Sequence, residues 1–591
     1  MIKKIETDDA IYTVDESNGS CVDIDVKPGV NEIHLGGTTR YRKYLLSDNK
    51  KGFPDVRKIV INYSVNDIVI PNTLFPNVEE VECHSGNYGR YTKSGKMLLK
   101  NDSGQVLTNT FMKMANEIID LKDVNRIADN AFFGCMATKI INSRNVTECE
   151  KDAFKNSAIG ALKPAPGGVV VAGSIIVNID ETAEDIVLPD KNVSLTAMRS
   201  GISFDNVKSV TMNRAQTAIN LQDKLPAGIR VILNDKSYIT DEQLSKWRHF
   251  PVLELTEENP YYSTKDGCLL SKDGLVLVKY PSVISGTVHI PDGIETITPY
   301  AFSFSEAEEV CFPDSMRVLM PECFYMCKRL KKVDFGHGIE EIGIGHNCKL
   351  FLQCDMLCEI EIPSQVRIIG ESAFFGTNIS KVILHEGLTQ IMDYAFKQTG
   401  VQDITLPASL KYIGKQNFLG INSITLSSDD MPYGIAEAIT SDTVSDDRTM
   451  CIEIKKPNGT VLMPRYMVTA DATLLDTRLS IPSFRKKCEE SLYDYGMQPE
   501  IKWITAIKMM KECPNETVKT YLTRVSKNIV AMYLSINDET GLIDFVKLGV
   551  MTPKALNDAY KKAKEYNLTL VMAYICDAQK STKGIKSSFA L

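Results

Sequence analysis

A phenylalanine that returns at a nearly fixed interval constrains this chain more than any other feature. Phe132 and Phe154 are 22 residues apart, as are Phe302 and Phe324, Phe374 and Phe396, and Phe396 and Phe418, while Phe351 and Phe374 are 23 apart. Segment 374–396, FFGTNISKVILHEGLTQIMDYAF, aligns without gaps on 132–154 and on 396–418. The 27-residue step from Phe324 to Phe351 carries a small insertion in GIEEIGIGHNCKLF, and a long gap separates Phe154 from Phe302. A period of this length marks one supersecondary unit, which cannot bury its apolar edge alone and must stack on its neighbours.

Within each unit apolar residues alternate over a short stretch: Val310 with Phe312, Val333 with Phe335, Ile360 with Ile362, Val382 with Leu384, Ile404 with Leu406. Period-two alternation predicts a strand with one buried face. A Pro or Gly turn follows, then an isolated aliphatic such as Leu388 or Leu410, then Ile391 or Ile413, and finally the Phe beside a short helical turn. Stacking such units predicts a parallel sheet on one side. On the other it predicts a structural ladder of Phe132, Phe154, Phe302, Phe324, Phe351, Phe374, Phe396 and Phe418.

Segments IPSQVRIIGESAFFGT (362–377) and LPASLKYIGKQNFLG (406–420) resemble the units of BspA-like leucine-rich repeats, and 259–302 looks like that family's hairpin insert. The resemblance implies an α+β repeat solenoid, a leucine-rich-repeat right-handed superhelix with a parallel sheet on one face, followed here by a C-terminal all-α domain. Five regions are expected. Residues 1–160 hold N-terminal repeats with a hairpin insert near 89–107, 161–258 hold degenerate repeats, and 259–427 form the clearest solenoid. Residues 428–478 read as cap and linker, with a hairpin turn at Asn458-Gly459. Residues 479–591 read as helical.

In that last region Ser480 and Pro482 suit a cap and first turn, Gly496 a stop, and Pro499 a second start. Further helices fit 515–535, 538–548, 552–566 and 568–580. The strings VAMYL (530–534) and VMAYI (571–575), 41 residues apart, suggest stacked helical hairpins, loosely similar to ankyrin-like tails.

The net charge of -8, from 67 basic and 75 acidic side chains, creates no field that would attract nucleic acid except through a larger complex. A protein partner fits better, with self-association a second option. No run of about 18 apolar residues suits a membrane span, and no apolar run follows Lys3 and Lys4. Fifteen cysteines, an odd number spread from Cys21 to Cys576, suit reduced thiols and a cytoplasmic location.

Chemistry is sparse. Cys311, Cys323, Cys327, His337, His346, Cys348, Cys354 and Cys358 could supply zinc ligands. The frame favours another reading. Three residues after the ladder Phe stand Cys135, Ser157, Ser305, Cys327, Cys354, Thr377 or Thr399, so the slot takes a small, weakly polar side chain and no metal is expected. No HExxH, Walker A loop, nucleophile elbow or dinucleotide fingerprint occurs, and 480–591 lacks histidine, so neither a catalytic set nor a cofactor is expected.

Between the buried strand positions stand residues sent to the outer sheet face: Glu309, Lys332, Asp334, Glu359 and Glu361, then Lys381, His385, Asp403 and Thr405. They are the candidate partner-binding set. A non-enzymatic protein-interaction scaffold, acting through this face, the helical tail or both, is the expected function. The resemblance also implies an alternative: a surface adhesin, or a phage or effector-type receptor-binding or inhibitor protein.

Overall fold

In Glu359–Ile362 and Asp403–Leu406 the two isoleucines, Ile404 and Leu406 are buried, while Glu359, Glu361, Asp403 and Thr405 face water. Alternation in sequence is thus alternation of burial. The computed structural model describes residues 2–36, 42–47, 51–71, 73–84, 91–256, 258–343, 345–441, 443–444 and 449–582. It divides into two units, Met1–Lys272 and Asp273–Leu591.

In both units each coil contributes a longer strand to one parallel ladder and a short strand, often two residues, to a second. In the first unit the antiparallel strands Ile2–Glu6, Ala10–Asp15 and Ser20–Val26 open the chain, and the third pairs in parallel with Lys43–Leu45, which pairs with Asp67–Val69. The longer strands Glu32–Leu35, Lys58–Ile61 and Glu80–Cys83 run parallel. A fresh antiparallel set, Tyr91–Ser94, Met97–Asn101 and Gln105–Thr110, then feeds Arg126–Ile127 and Glu148–Cys149, while Ile118–Asp120 pairs with Lys139–Ile141.

The same device recurs within the region read as degenerate. Val169–Ala172 and Ile175–Ile179 form a hairpin whose second strand pairs in parallel with Ala197–Met198. The longer strands resume at Asp185–Val187 and continue through Ser209–Met212, Arg230–Leu233 and Val252–Leu255. Here helices Ala215–Leu221 and Asp241–Lys246 serve as return legs, and Trp247 packs edge-on to Phe250 with centroids 4.7 Å apart. A further hairpin, Tyr262–Lys265 with Cys268–Ser271, lies near the end of this unit. Each hairpin supplies a hydrogen-bonded starting edge, which the first coil of a parallel stack otherwise lacks.

In the second unit the longer strands include Gly286–His289, Ala307–Cys311 and Lys332–Asp334; Glu359–Ile362 with Lys381–Leu384; and Asp403–Leu406, Ser423–Leu426 and Cys451–Lys456. The short ladder includes Val276–Lys279, Thr296–Ile297 and Val318–Leu319, then Glu341–Ile342, Ile368–Ile369, Gln390–Ile391 and Tyr412–Ile413. The third corner of the coil is a hydrogen-bonded turn. Ser372, Phe374 and Gly376 donate backbone N–H groups to the carbonyls of Asp393, Ala395 and Lys397 one coil on. The expected helical turn is absent there: residues two before and two after the Phe sit in the left-handed region, Ser372 at φ 59° and Gly376 at φ 68°, Tyr394 and Gln398 both at 59°. That geometry aims the amides along the stack.

The ladder rings stack. Phe132 and Phe154 lie 4.6 Å apart in the first unit. In the second, spacings from Phe302 through Phe324, Phe351, Phe374 and Phe396 to Phe418 run 4.8, 5.2, 5.5, 5.2 and 5.8 Å. The insertion before Phe351 leaves the column intact, and Tyr280 extends it, 4.5 Å from Phe302.

Gly459–Pro464 pairs antiparallel with Cys451–Lys456 and closes the last ladder. Arg465, fully buried, donates to the carbonyls of Leu419, Ile421 and Thr449, satisfying backbone acceptors that no further coil reaches. Helix Thr469–Ser480 follows, so the expected boundary at 478 falls inside a helix, and Ser480 is not a cap: it ends that helix, and Ile481 precedes Pro482–Glu489. The region continues with Pro499–Glu512, Glu516–Ser535, Glu539–Lys547, Pro553–Glu565 and Thr569–Thr582. Asn515, Asp538 and Thr552 cap three of them through side-chain oxygens.

The helical hairpins do stack, but VAMYL and VMAYI are not equivalent. The first lies in the opening helix of one hairpin, the second in the closing helix of the next. The matching features are the left-handed residues Asn537 and Asn567, which turn each hairpin at φ 53° and 57°.

Candidate functional site: the outer sheet face

Parallel register brings outward side chains of neighbouring coils opposite one another, and in the second unit the sequence has filled those positions with complementary pairs. Glu309 stands opposite Lys332, whose ammonium donates to it at 2.5 Å, and Thr287 adds a bond at 3.3 Å. Lys381 reaches Glu359 at 2.5 Å, His385 lies 2.8 Å from Glu361, and Ser423 donates to Asp403 at 2.6 Å. Asp334 stands opposite Cys311 and accepts the amide of Gly336, while Thr405 faces Thr425 in register. His385 is exposed but sits one residue beyond its strand, Lys381–Leu384, rather than on it.

These pairs set the electrostatics. The Lys332 hydrogen bond holds the Glu309 carboxyl below its ordinary range, and Glu309 raises the Lys332 ammonium in turn. Such groups stay charged at neutral pH, which suits recognition and not proton transfer. A smaller version stands in the first unit, where Lys58 lies 2.6 Å from Glu82 and 3.6 Å from Glu32.

Sequence reasoning missed one group. Glu453, opposite Ser423, extends the face and accepts Lys508 of helix Pro499–Glu512 at 2.6 Å, tying the helical region to the last ladder. Alternation in CIEIKK carried that signal, but the break in the repeat at 428–450 hid its register.

The Cys/His set disperses. Cys327 and Cys354 are buried and donate their thiols to the Phe302 and Phe324 carbonyls of the preceding coil, at 3.0 and 3.1 Å. Thr377 and Thr399 use the same slot to bond the carbonyls of Phe374 and Phe396 at 2.9 and 2.8 Å. Cys323 is buried too, and Cys348 donates to Gly345. His337 and His346 lie on the surface against Asp314 and Glu371. Among the described residues no group of three or more such side chains is placed to hold a metal ion, and no helix is long and apolar enough to cross a membrane.

Residues 104–175, 283–350 and 344–438 match the BspA type leucine rich repeat region, in six copies. Among solved structures the chain is similar to a leucine rich cell surface protein from Faecalibacterium prausnitzii, at 16% identity over 72% of this chain and 95% of that one, with a TM-score of 0.25. It is similar to a leucine-rich repeat protein from Eubacterium ventriosum at 15% identity over 70% and 93%, TM-score 0.26. The pneumococcal vaccine antigen PcpA gives 14% over 75% and 94%, TM-score 0.23. No curated protein matches.

Proposed function

We propose that this chain, built of BspA-type leucine-rich repeats, is a non-catalytic scaffold that binds a protein partner through the outer face of its second-unit sheet, with the helical region as a further contact. One observation carries the reading. Cross-strand pairs such as Glu309 with Lys332 and Glu359 with Lys381 set alternating positive and negative groups along the face, a surface suited to orienting a partner of complementary pattern. The fifteen cysteines, all free, favour a reducing compartment over a disulfide-bonded surface location.

The test is capture of partners from native lysate by the full chain and by a variant with Glu359→Lys and Lys381→Glu, which preserves the pair but inverts its direction. Loss of a specific partner by the variant supports the face. An unchanged set of captured proteins, with loss only when the helices after Ser480 are removed, moves the binding role to the helical region.

A further inference from the structure

The ladder of longer strands breaks where the third hairpin enters. Lys139–Ile141 pairs with Ile118–Asp120 on one side only, because the next longer strand, Asp185–Val187, pairs instead with Ser209–Met212. Beside this break lies a groove of about 680 Å³, walled by Ile140–Asn145 and Lys122 on one side and by Gly173, Ser174 and Val193 on the other.

The walls are preformed. Buried Ser143 and Ser174 bond each other, the Ser174 amide donates to Ser143 Oγ at 2.8 Å, and Ser174 bonds Thr196 at 2.7 Å. Gly173 fits because a Cβ there would stand 2.3 Å from Ser143 Oγ. A rigid groove loses little entropy when filled.

Its lining is both apolar and basic. Ile141 and Val193 expose 36% and 41% of their surface. Lys122 and Arg144 are exposed, as is Lys139 on the edge strand. Among the described residues these three cations have no carboxylate partner. The nearby Asp120 accepts Asn142 Nδ2 at 2.9 Å and the Lys122 amide at 3.1 Å through Oδ1, and pairs with none of the three cations.

From this juxtaposition we infer that the groove binds an extended acidic peptide of a partner protein, its carboxylates meeting Lys122 and Arg144 and its apolar side chains resting on Ile141 and Val193. An extended backbone suits the site because the free edge of Lys139–Ile141 offers N–H and C=O groups to an added strand. The inference concerns a surface of the first unit and does not depend on the second-unit face.

The test is a fluorescence-anisotropy titration of the full chain with a labelled ten-residue peptide alternating Glu with Val and Leu. Saturable binding is expected. Lys122→Glu with Arg144→Glu should weaken it by about tenfold or more and confer binding to the Lys-for-Glu peptide. Glu359→Lys with Lys381→Glu should leave it unchanged, which separates this site from the face proposed above. Hydrogen exchange on the unaltered chain should show added protection within 139–145, a readout independent of any variant. Absence of saturable binding, indifference to the charge reversal, or equal binding of a Glu-only peptide or inorganic polyphosphate would overturn the inference.

Discussion

The rings of Phe351 and Phe374 lie 5.5 Å apart and within 3° of parallel, although an insertion enlarges the preceding coil. The column therefore tolerates loop growth. Phe374, fully buried between Phe351 and Phe396, should cost about 3–5 kcal/mol on Phe374→Ala, and clearly less on Phe374→Leu, which refills part of the cavity. Urea unfolding followed by hydrogen exchange should place the damage in the coils that flank residue 374, as nearest-neighbour stacking requires. A spread of lost protection across the whole unit would contradict that picture.

Gly370 stands two residues before the Ser372–Phe374 turn, and a Cβ added there would meet the Gly343 carbonyl oxygen at 1.6 Å. Its own amide donates to the Ile342 carbonyl at 2.7 Å. At Gly370 the neighbouring backbone approaches too closely for any side chain, although the equivalent positions of other coils hold Met392 and Thr298. Gly370→Ala should destabilise by about 1–3 kcal/mol through forced displacement, whereas Gly420→Ala, whose Cβ would meet nothing within 4 Å, should change the urea midpoint little.

The features legible in the sequence were those one residue type imposes. Aromatic bulk must recur where rings stack, so Phe302 to Phe418 announced their column, and alternation such as EIEI in Glu359–Ile362 announced its strand. The hairpins at Ala10–Val26 and Val169–Ile179 were less visible, because what defines them is backbone pairing, which many sequences satisfy. Tyr280 escaped notice for a related reason: it joins the ring column from the end of a hairpin strand, outside the 22-residue frame. Pro499 and the helical periodicity placed the helices, and the string match between residues 530–534 and 571–575 pointed to stacked hairpins but paired the wrong helices, since short apolar strings suit any buried helix face. For the outer face, sequence could name residues such as Glu361 and His385 but not their pairing, which depends on register between coils.

Cys327 and Cys354 fill the slot that Thr377 and Thr399 fill elsewhere; there the hydroxyls bond the Phe carbonyl of their own coil, so a hydroxyl in place of either thiol should still find a backbone acceptor. Cys327→Ser and Cys354→Ser should each cost less than about 1 kcal/mol, while Cys354→Val, which leaves the Phe324 carbonyl without its thiol donor, should cost about 1–3 kcal/mol. EDTA should leave the unfolding midpoint where it is. A large downward shift with chelator would instead point to a metal held by these thiols.

Two buried groups should give the second unit a stability minimum near neutral pH. Asp476 accepts the amides of Ala436 and Glu437 at 2.8 and 3.0 Å, capping helix Ile435–Ile439, and burial raises its carboxyl from 3.8 to about 7. A folded value above the unfolded one means its contribution is complete below pH 3.8 and is lost as pH rises through 7. Lys279 donates to the Tyr300 carbonyl at 2.7 Å and to Ser303 Oγ at 3.0 Å, and burial lowers its ammonium from 10.5 to about 7. Its contribution is complete above pH 10.5 and is lost as pH falls through 7. Urea midpoints measured from pH 4 to 10 should therefore fall and then rise. Asp476→Asn, which keeps a neutral polar side chain, should flatten the acid limb alone, and Lys279→Met, which keeps the apolar stem, the alkaline limb alone. If the Asn variant kept the full slope between pH 4 and 7, the helix cap would not be the titrating element.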